Sequence, residues 1–169
     1  MGRDLFNEFT EARTIFEQAD AVLGRPLSEI IFEGPEDELV RTINTQPAIL
    51  VTSLACLAAG RAAGALEQGP AFVAGHSLGE FSALVAAGAL TLEEALLLVR
   101  KRGQYMQEAV PEGQGSMAAV MGLEATQVES VCREAAEGQV VSPANFNSPN
   151  QTVIAGHAEA VARASESAQ

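Results

Sequence analysis

The sequence predicts an α/β chain in two parts, and three observations carry that prediction. A short apolar run, Ala71 to Ala74, leads at once into Gly75-x-Ser77-x-Gly79 and a helical pattern, the signature of a strand turning sharply into a helix. From Gly115 onward the pattern reads strand, helix, strand, strand, helix. Ahead of Ala71 the apolar residues recur at helical spacing between breakers. Apolar residues make up 47% of the 169 and charged residues 19%, enough to bury the core of one domain or slightly more.

Each element has a local reason. Asp4 to Leu23 places Leu5, Phe9, Ile15, Phe16 and Val22 on an imperfect helical face that stops at Gly24. Pro35-Glu36-Asp37-Glu38 opens a short helix, because proline costs nothing in a first turn and the acids suit the positive end of the helix dipole. Thr45 is expected to cap a long helix reaching about Leu66. Between Ala48 and Ala59 this helix is apolar nearly all round and belongs in an interior. Gly64 and Gly69-Pro70 end it, and the strand Ala71–Ala74 and a helix through Ala87 follow. Thr91-Leu92-Glu93-Glu94 is a capping box for a helix that runs to about Ala109, where Pro111 and Gly113 stop it.

In the last third, strands are expected at Met117–Met121, Val140–Phe146 and Thr152–Ala155. An amphipathic helix lies at Ala125–Ala136 and another starts at Ala158, and Asn147-Ser148-Pro149-Asn150 is the polar loop between the last two strands. The order βαββα is a ferredoxin-like unit without its final strand. The parts divide as 1–114, a partial α/β-hydrolase-like core with a nucleophile elbow, and 115–169, an incomplete ferredoxin-like subdomain. The boundary falls within Pro111 to Gly115.

Charge and composition remove several function classes. Ten Lys and Arg against 22 Asp and Glu give a net charge of -12, with no basic stripe for nucleic acid and no attraction to an anionic membrane. The apolar stretch Pro47 to Gly60 is shorter than the roughly 20 residues of a membrane span, and the acids among the first residues do not form a leader, so a cytoplasmic protein is expected. Cys56, in its apolar helix, is expected to be a buried free thiol. Two Cys and two His without paired spacing make no metal site.

The chemistry centres on Ser77. In a nucleophile elbow the glycines allow two segments to pass closely round a strained turn, which exposes the hydroxyl at a helix N-terminus. The Leu78 backbone N–H is then placed to help hold an oxyanion. The bland alternative is a glycine-rich strand–helix connection. His76 leaves the backbone beside Ser77 in another direction, so a buried, hydrogen-bonded supporting role fits it better than that of base. His157 reads as an exposed histidine at the start of the last helix, and neither histidine completes a triad. Arg100, Lys101 and Arg102 point in three directions about 100° apart round their helix. They are either a solvated cationic patch or a patch with one guanidinium turned inward as the partner of a carboxylate.

The chain resembles the malonyl-CoA:acyl carrier protein transacylases along nearly its whole length. The likeness is carried by Thr45-Gln46-Pro47-Ala48, by Gly75-His76-Ser77-Leu78-Gly79-Glu80-Phe81-Ser82-Ala83-Leu84, and by Arg102-Gly103 with Met106-Gln107-Glu108-Ala109. It continues through Gly115-Ser116-Met117-Ala118-Ala119 and Asn145-Phe146-Asn147-Ser148-Pro149. The resemblance implies that Ser77 accepts the acyl group, that Leu78 N–H is half of the oxyanion hole, and that Arg102 pairs with the malonyl carboxylate. It further implies that Gln46, His76, Met106 and Asn145 border or support the substrate site. Malonyl-CoA and acyl carrier protein would be the partners, in fatty acid biosynthesis, with no cofactor because the CoA thioester is substrate, and with a monomeric intact enzyme. The family's Gly-Gln-Gly-Ser-Gln loop and its Ser-His motif, which holds the general base, are not in these 169 residues, so an internal fragment that is inactive alone is expected. Two other classes share the elbow or the absent base: a serine hydrolase or thioesterase, and a non-catalytic module that binds acyl-CoA or carrier protein.

Overall fold

Helical periodicity ahead of the elbow is realised as α1 (Arg3–Glu8), α2 (Thr10–Leu23), α3 (Leu27–Glu33), α4 (Glu36–Val40) and α5 (Thr42–Ala62), in a computed structural model that describes residues 1–66, 68–111 and 113–169. The helix expected over Asp4–Leu23 is broken at Phe9, whose backbone is extended (φ -119°, ψ 119°). The break lets Phe6 and Phe16 meet edge-on at 5.8 Å, and Phe32 of α3 packs on both. The sequence reading did not anticipate α3; at seven residues it is too short to show a period, and it is held by Ser28, whose N–H donates to Asp20 at 2.8 Å.

The α5 helix starts four residues earlier than expected. Thr45 does not cap it; its hydroxyl donates to the Leu39 carbonyl at 2.6 Å, and Arg41 occupies the N-cap with extended backbone. Phe16, Leu27, Leu50, Val51, Leu96 and Val99 are fully buried around α5. One stripe of α5 is nonetheless exposed, namely Ile49, Ser53 and Cys56 at helical spacing. Cys56 is therefore exposed rather than buried, because α2 packs against the opposite side of the helix. At 21 residues α5 is long and apolar enough to cross a membrane, but half of its most apolar window is buried among the other helices.

Residues 71–74 form no strand, contrary to expectation. A strand is made by a hydrogen-bonded neighbour, and the described residues of this unit offer none; Phe72 is 92% exposed. After the elbow come α6 (Gly79–Ala86) and α7 (Leu92–Ala109). The expected capping box starts α7: Thr91 N–H donates to Glu94 Oε2 at 2.8 Å, and Glu94 N–H donates to Thr91 Oγ1 at 3.1 Å.

The chain divides after Glu108 into two units, Met1–Glu108 and Ala109–Gln169. Glu112, inside the expected boundary, lies outside the described residues. The second unit is β1 (Gly115–Met121), α8 (Ala125–Ala135), β2 (Val141–Ser148), β3 (Gln151–His157) and α9 (Ala158–Ser167). Its three strands form an antiparallel sheet in the order β1-β3-β2. Ile154 and Val120 of the sheet pack with Val128 and Cys132 of α8 and Val161 of α9 in a core of their own. Of the expected four-residue loop, Asn147 and Ser148 belong to β2, and only Pro149 and Asn150 turn; polar side chains do not prevent Ser148 from pairing with Gln151. Gly156 must be glycine, because a Cβ there would stand 2.0 Å from the Val140 carbonyl oxygen.

Candidate active site

The elbow follows from its glycines. A Cβ on Gly75 would fall 1.9 Å from the carbonyl carbon of Gly79, so only hydrogen fits where the incoming segment crosses the start of α6. Ser77 sits at the apex in the left-handed region, with φ 52°, a conformation that side-chain-bearing residues rarely hold. Short-range bonds close the turn: Gly79 N–H donates to the His76 carbonyl at 2.9 Å and Phe81 N–H to the Leu78 carbonyl at 3.0 Å. The result is an exposed Ser77 hydroxyl beside a buried Leu78 side chain. Among the described residues the Leu78 N–H donates to no protein acceptor, which leaves it available beside the hydroxyl.

The inward guanidinium is Arg102. Its Nη2 donates to Ser77 Oγ at 3.0 Å and its Nη1 to Gln46 Oε1 at 2.6 Å. Gln46 is 5% exposed, and its own amide donates to the Met106 sulfur at 3.1 Å. The two flanking cations turn elsewhere: Lys101 Nζ lies 5.6 Å from the Tyr105 ring centre, and Arg100 donates to the Leu23 carbonyl at 3.4 Å. Arg102 has no carboxylate partner among the described residues, so a half-buried cation points at the serine with its charge uncompensated.

Ser77, Leu78, Arg102, Gln46 and Met106 are thus brought together in the first unit. Asn145 lies in β2 of the second unit, half-buried and paired with Val153 in the ladder. His76 is exposed, and among the described residues its ring makes no hydrogen bond, so the buried supporting role expected for it is not what the structure has; residues 71–77, which carry it, are exposed throughout. His157 is exposed at the N-cap of α9, where its Nδ1 accepts from Val140 N–H at 3.0 Å. Neither histidine bonds Ser77. Among the described residues no three His, Cys, Asp or Glu side chains stand close enough to hold a metal ion.

Sequence reasoning gave Gln46 a general supporting place and missed its grip on Arg102. A signal was present: a buried glutamine in an otherwise apolar helix must find partners for both ends of its amide. A groove of about 310 Å³ lies behind the elbow, lined by Ser53 and Leu57 of α5, by Val73 and by Ser82 of α6.

The family described as "Acyl transferase domain" matches residues 1–169. The malonyl CoA-acyl carrier protein transacylase of Escherichia coli (strain K12) is 50% identical over 161 residues, covering 95% of this chain and 52% of that protein. Among solved structures, the acyl-carrier-protein S-malonyltransferase of Burkholderia pseudomallei 1710b aligns with a TM-score of 0.89 at 46% identity, over 98% of this chain and 53% of that one. A malonyl-transacylase in complex with its type II PKS acyl-carrier protein aligns with a TM-score of 0.92 at 46% identity, over 99% and 54%. The chain spans about half the length of the curated relatives it matches.

Proposed function

The chain belongs to the acyl transferase domain family, and from that membership we propose that it carries the nucleophile and the acyl-recognition residues of a malonyl-CoA:acyl carrier protein transacylase. The observation that bears the most weight is the 3.0 Å bond between Arg102 Nη2 and Ser77 Oγ. In a malonyl thioester a single methylene separates the free carboxylate from the carbonyl to be attacked. A guanidinium in contact with the nucleophile is therefore matched to a short dicarboxylic acyl group and has no use in an esterase for neutral acyl groups.

The reaction follows from the site. Ser77 Oγ attacks the thioester carbonyl and loses its proton to a general base. The Leu78 N–H, at the positive end of α6, stabilises the tetrahedral oxyanion. The carbon–sulfur bond breaks and CoA leaves as the thiol; the phosphopantetheine thiol of acyl carrier protein then attacks the malonyl-serine ester and regenerates Ser77. Arg102 stays paired with the malonyl carboxylate through both halves. No cofactor enters the scheme, since CoA is part of the substrate. The first unit is read as part of an α/β-hydrolase-like core, and the second, with strand order β1-β3-β2, as a ferredoxin-like subdomain. A cytoplasmic site of action fits this substrate pair.

The test is mass spectrometry of the intact protein after mixing with malonyl-CoA. A malonyl adduct on Ser77, absent in Ser77→Ala and passed on to acyl carrier protein, is the expected result. Arg102→Ala removes the partner of the malonyl carboxylate, a loss of order 2 kcal/mol or more, and should lower malonyl loading by about thirtyfold or more while sparing acetyl loading. Release of free malonate at the transfer rate would instead favour a hydrolase. Malonyl-CoA binding with no adduct would favour a non-catalytic module.

A further inference from the structure

The grip on Arg102 is built where α7 crosses α5. Arg102 and Met106 stand four residues apart on α7, hence on one face. Between them, Gly103 meets the start of α5 so closely that a Cβ there would lie 2.8 Å from the Thr42 carbonyl oxygen and 2.9 Å from the Ile43 Cα. Gln46, one turn along α5 from Thr42, reaches into the crossing from the other side. Its carbonyl oxygen accepts from Arg102 Nη1 at 2.6 Å, and its amide nitrogen donates to Met106 Sδ at 3.1 Å.

An amide can occupy this place in two orientations related by a flip. In one, the oxygen faces the guanidinium, as observed. In the other, the NH2 group faces the guanidinium, donor against donor, and the arginine loses its anchor. Arg102 favours the observed orientation from one side, and the Met106 sulfur, the acceptor for the nitrogen, favours it from the other. Gln46 is nearly buried, so water cannot readily replace either partner.

We propose that Met106 is a positioning residue that acts through Gln46: its thioether fixes the amide so that Gln46 holds Arg102 against Ser77, and the preference for a carboxylated acyl group depends on it. This deepens the transacylase reading above and rests on Arg102 being the carboxylate partner.

The experiment compares Met106→Leu, Met106→Gln and Arg102→Ala in the intact protein with two readouts. The first is the ratio of malonyl to acetyl loading on Ser77. Losing one neutral hydrogen bond behind the arginine should lower that ratio about three- to tenfold in Met106→Leu, through the malonyl rate alone. Met106→Gln, which puts a carbonyl acceptor in place of the sulfur, should restore most of it. The second readout needs no substrate: the Gln46 side-chain amide signals in a ¹⁵N-labelled sample should move or broaden in Met106→Leu and return in Met106→Gln. Unchanged amide signals and an unchanged ratio in Met106→Leu overturn the proposal, as does a fall in malonyl and acetyl loading alike. An unchanged ratio in Arg102→Ala overturns the carboxylate reading itself and the link to acyl choice with it, whatever the amide signals report.

Discussion

Ser77 holds its left-handed backbone at a cost of about 1–2 kcal/mol, and Gly75 is the residue that lets the turn close around it. Both were legible, because the Gly-x-Ser-x-Gly spacing states the steric requirement directly. The role of Gln46 was less so, since an amide does not declare which helix it will face. Cysteine shows the same limit. An apolar helix predicts buried thiols, yet Cys56 lies on the exposed stripe of α5, whereas Cys132 is buried in the second unit and burial pushes its thiol up. Iodoacetamide near neutral pH should therefore label Cys56 quickly and Cys132 only as fast as the second unit opens, with both labelled quickly in denaturant. Peptide mass spectrometry checks this, and equal native rates would contradict the burial.

Among the elements, α7 was the most legible because chemistry marks both of its ends. At its start, the Thr91 N–H and hydroxyl hold the Glu94 carboxyl below the usual carboxylate range. A carboxylate depressed in the folded state contributes stability that is complete above its unfolded pKa and is lost as pH falls through its folded pKa. Thr91→Ala should lower stability at neutral pH, and the gap to the wild type should narrow as the solution is made acid. Urea unfolding at neutral and at acid pH measures it; a gap constant with pH would show that the Thr91 hydroxyl plays no part in keeping Glu94 ionised. Other elements were misread for physical reasons. Thr45 has the side chain of a cap but spends its hydroxyl on the Leu39 carbonyl, so a start of α5 placed there fell four residues late. Residues 71–74 have the composition of a strand, but composition cannot supply the neighbour that would make them one.

At the scale of the whole molecule, the change of period near Gly115 marks the start of the β-rich part, where β1 begins, whereas the surfaces left open were not legible. Phe72 is 92% exposed, Ile49 is 40% exposed, and the groove of about 310 Å³ behind the elbow is lined mostly by apolar side chains. An extended apolar segment with unused backbone donors and acceptors is a template for pairing between copies. This 169-residue chain should self-associate at raised concentration, and Phe72→Asp should suppress it; light scattering against concentration reads the effect, and identical curves for the two would rule out this segment as the cause. The division after Glu108 has a consequence of another kind. The serine, the guanidinium and the glutamine that steadies it all precede that point, so the ruler that we propose for the incoming acyl chain is inherited as one block. A chimaera crossed over there would draw its choice of cargo from the parent that donated the first part, however foreign the second.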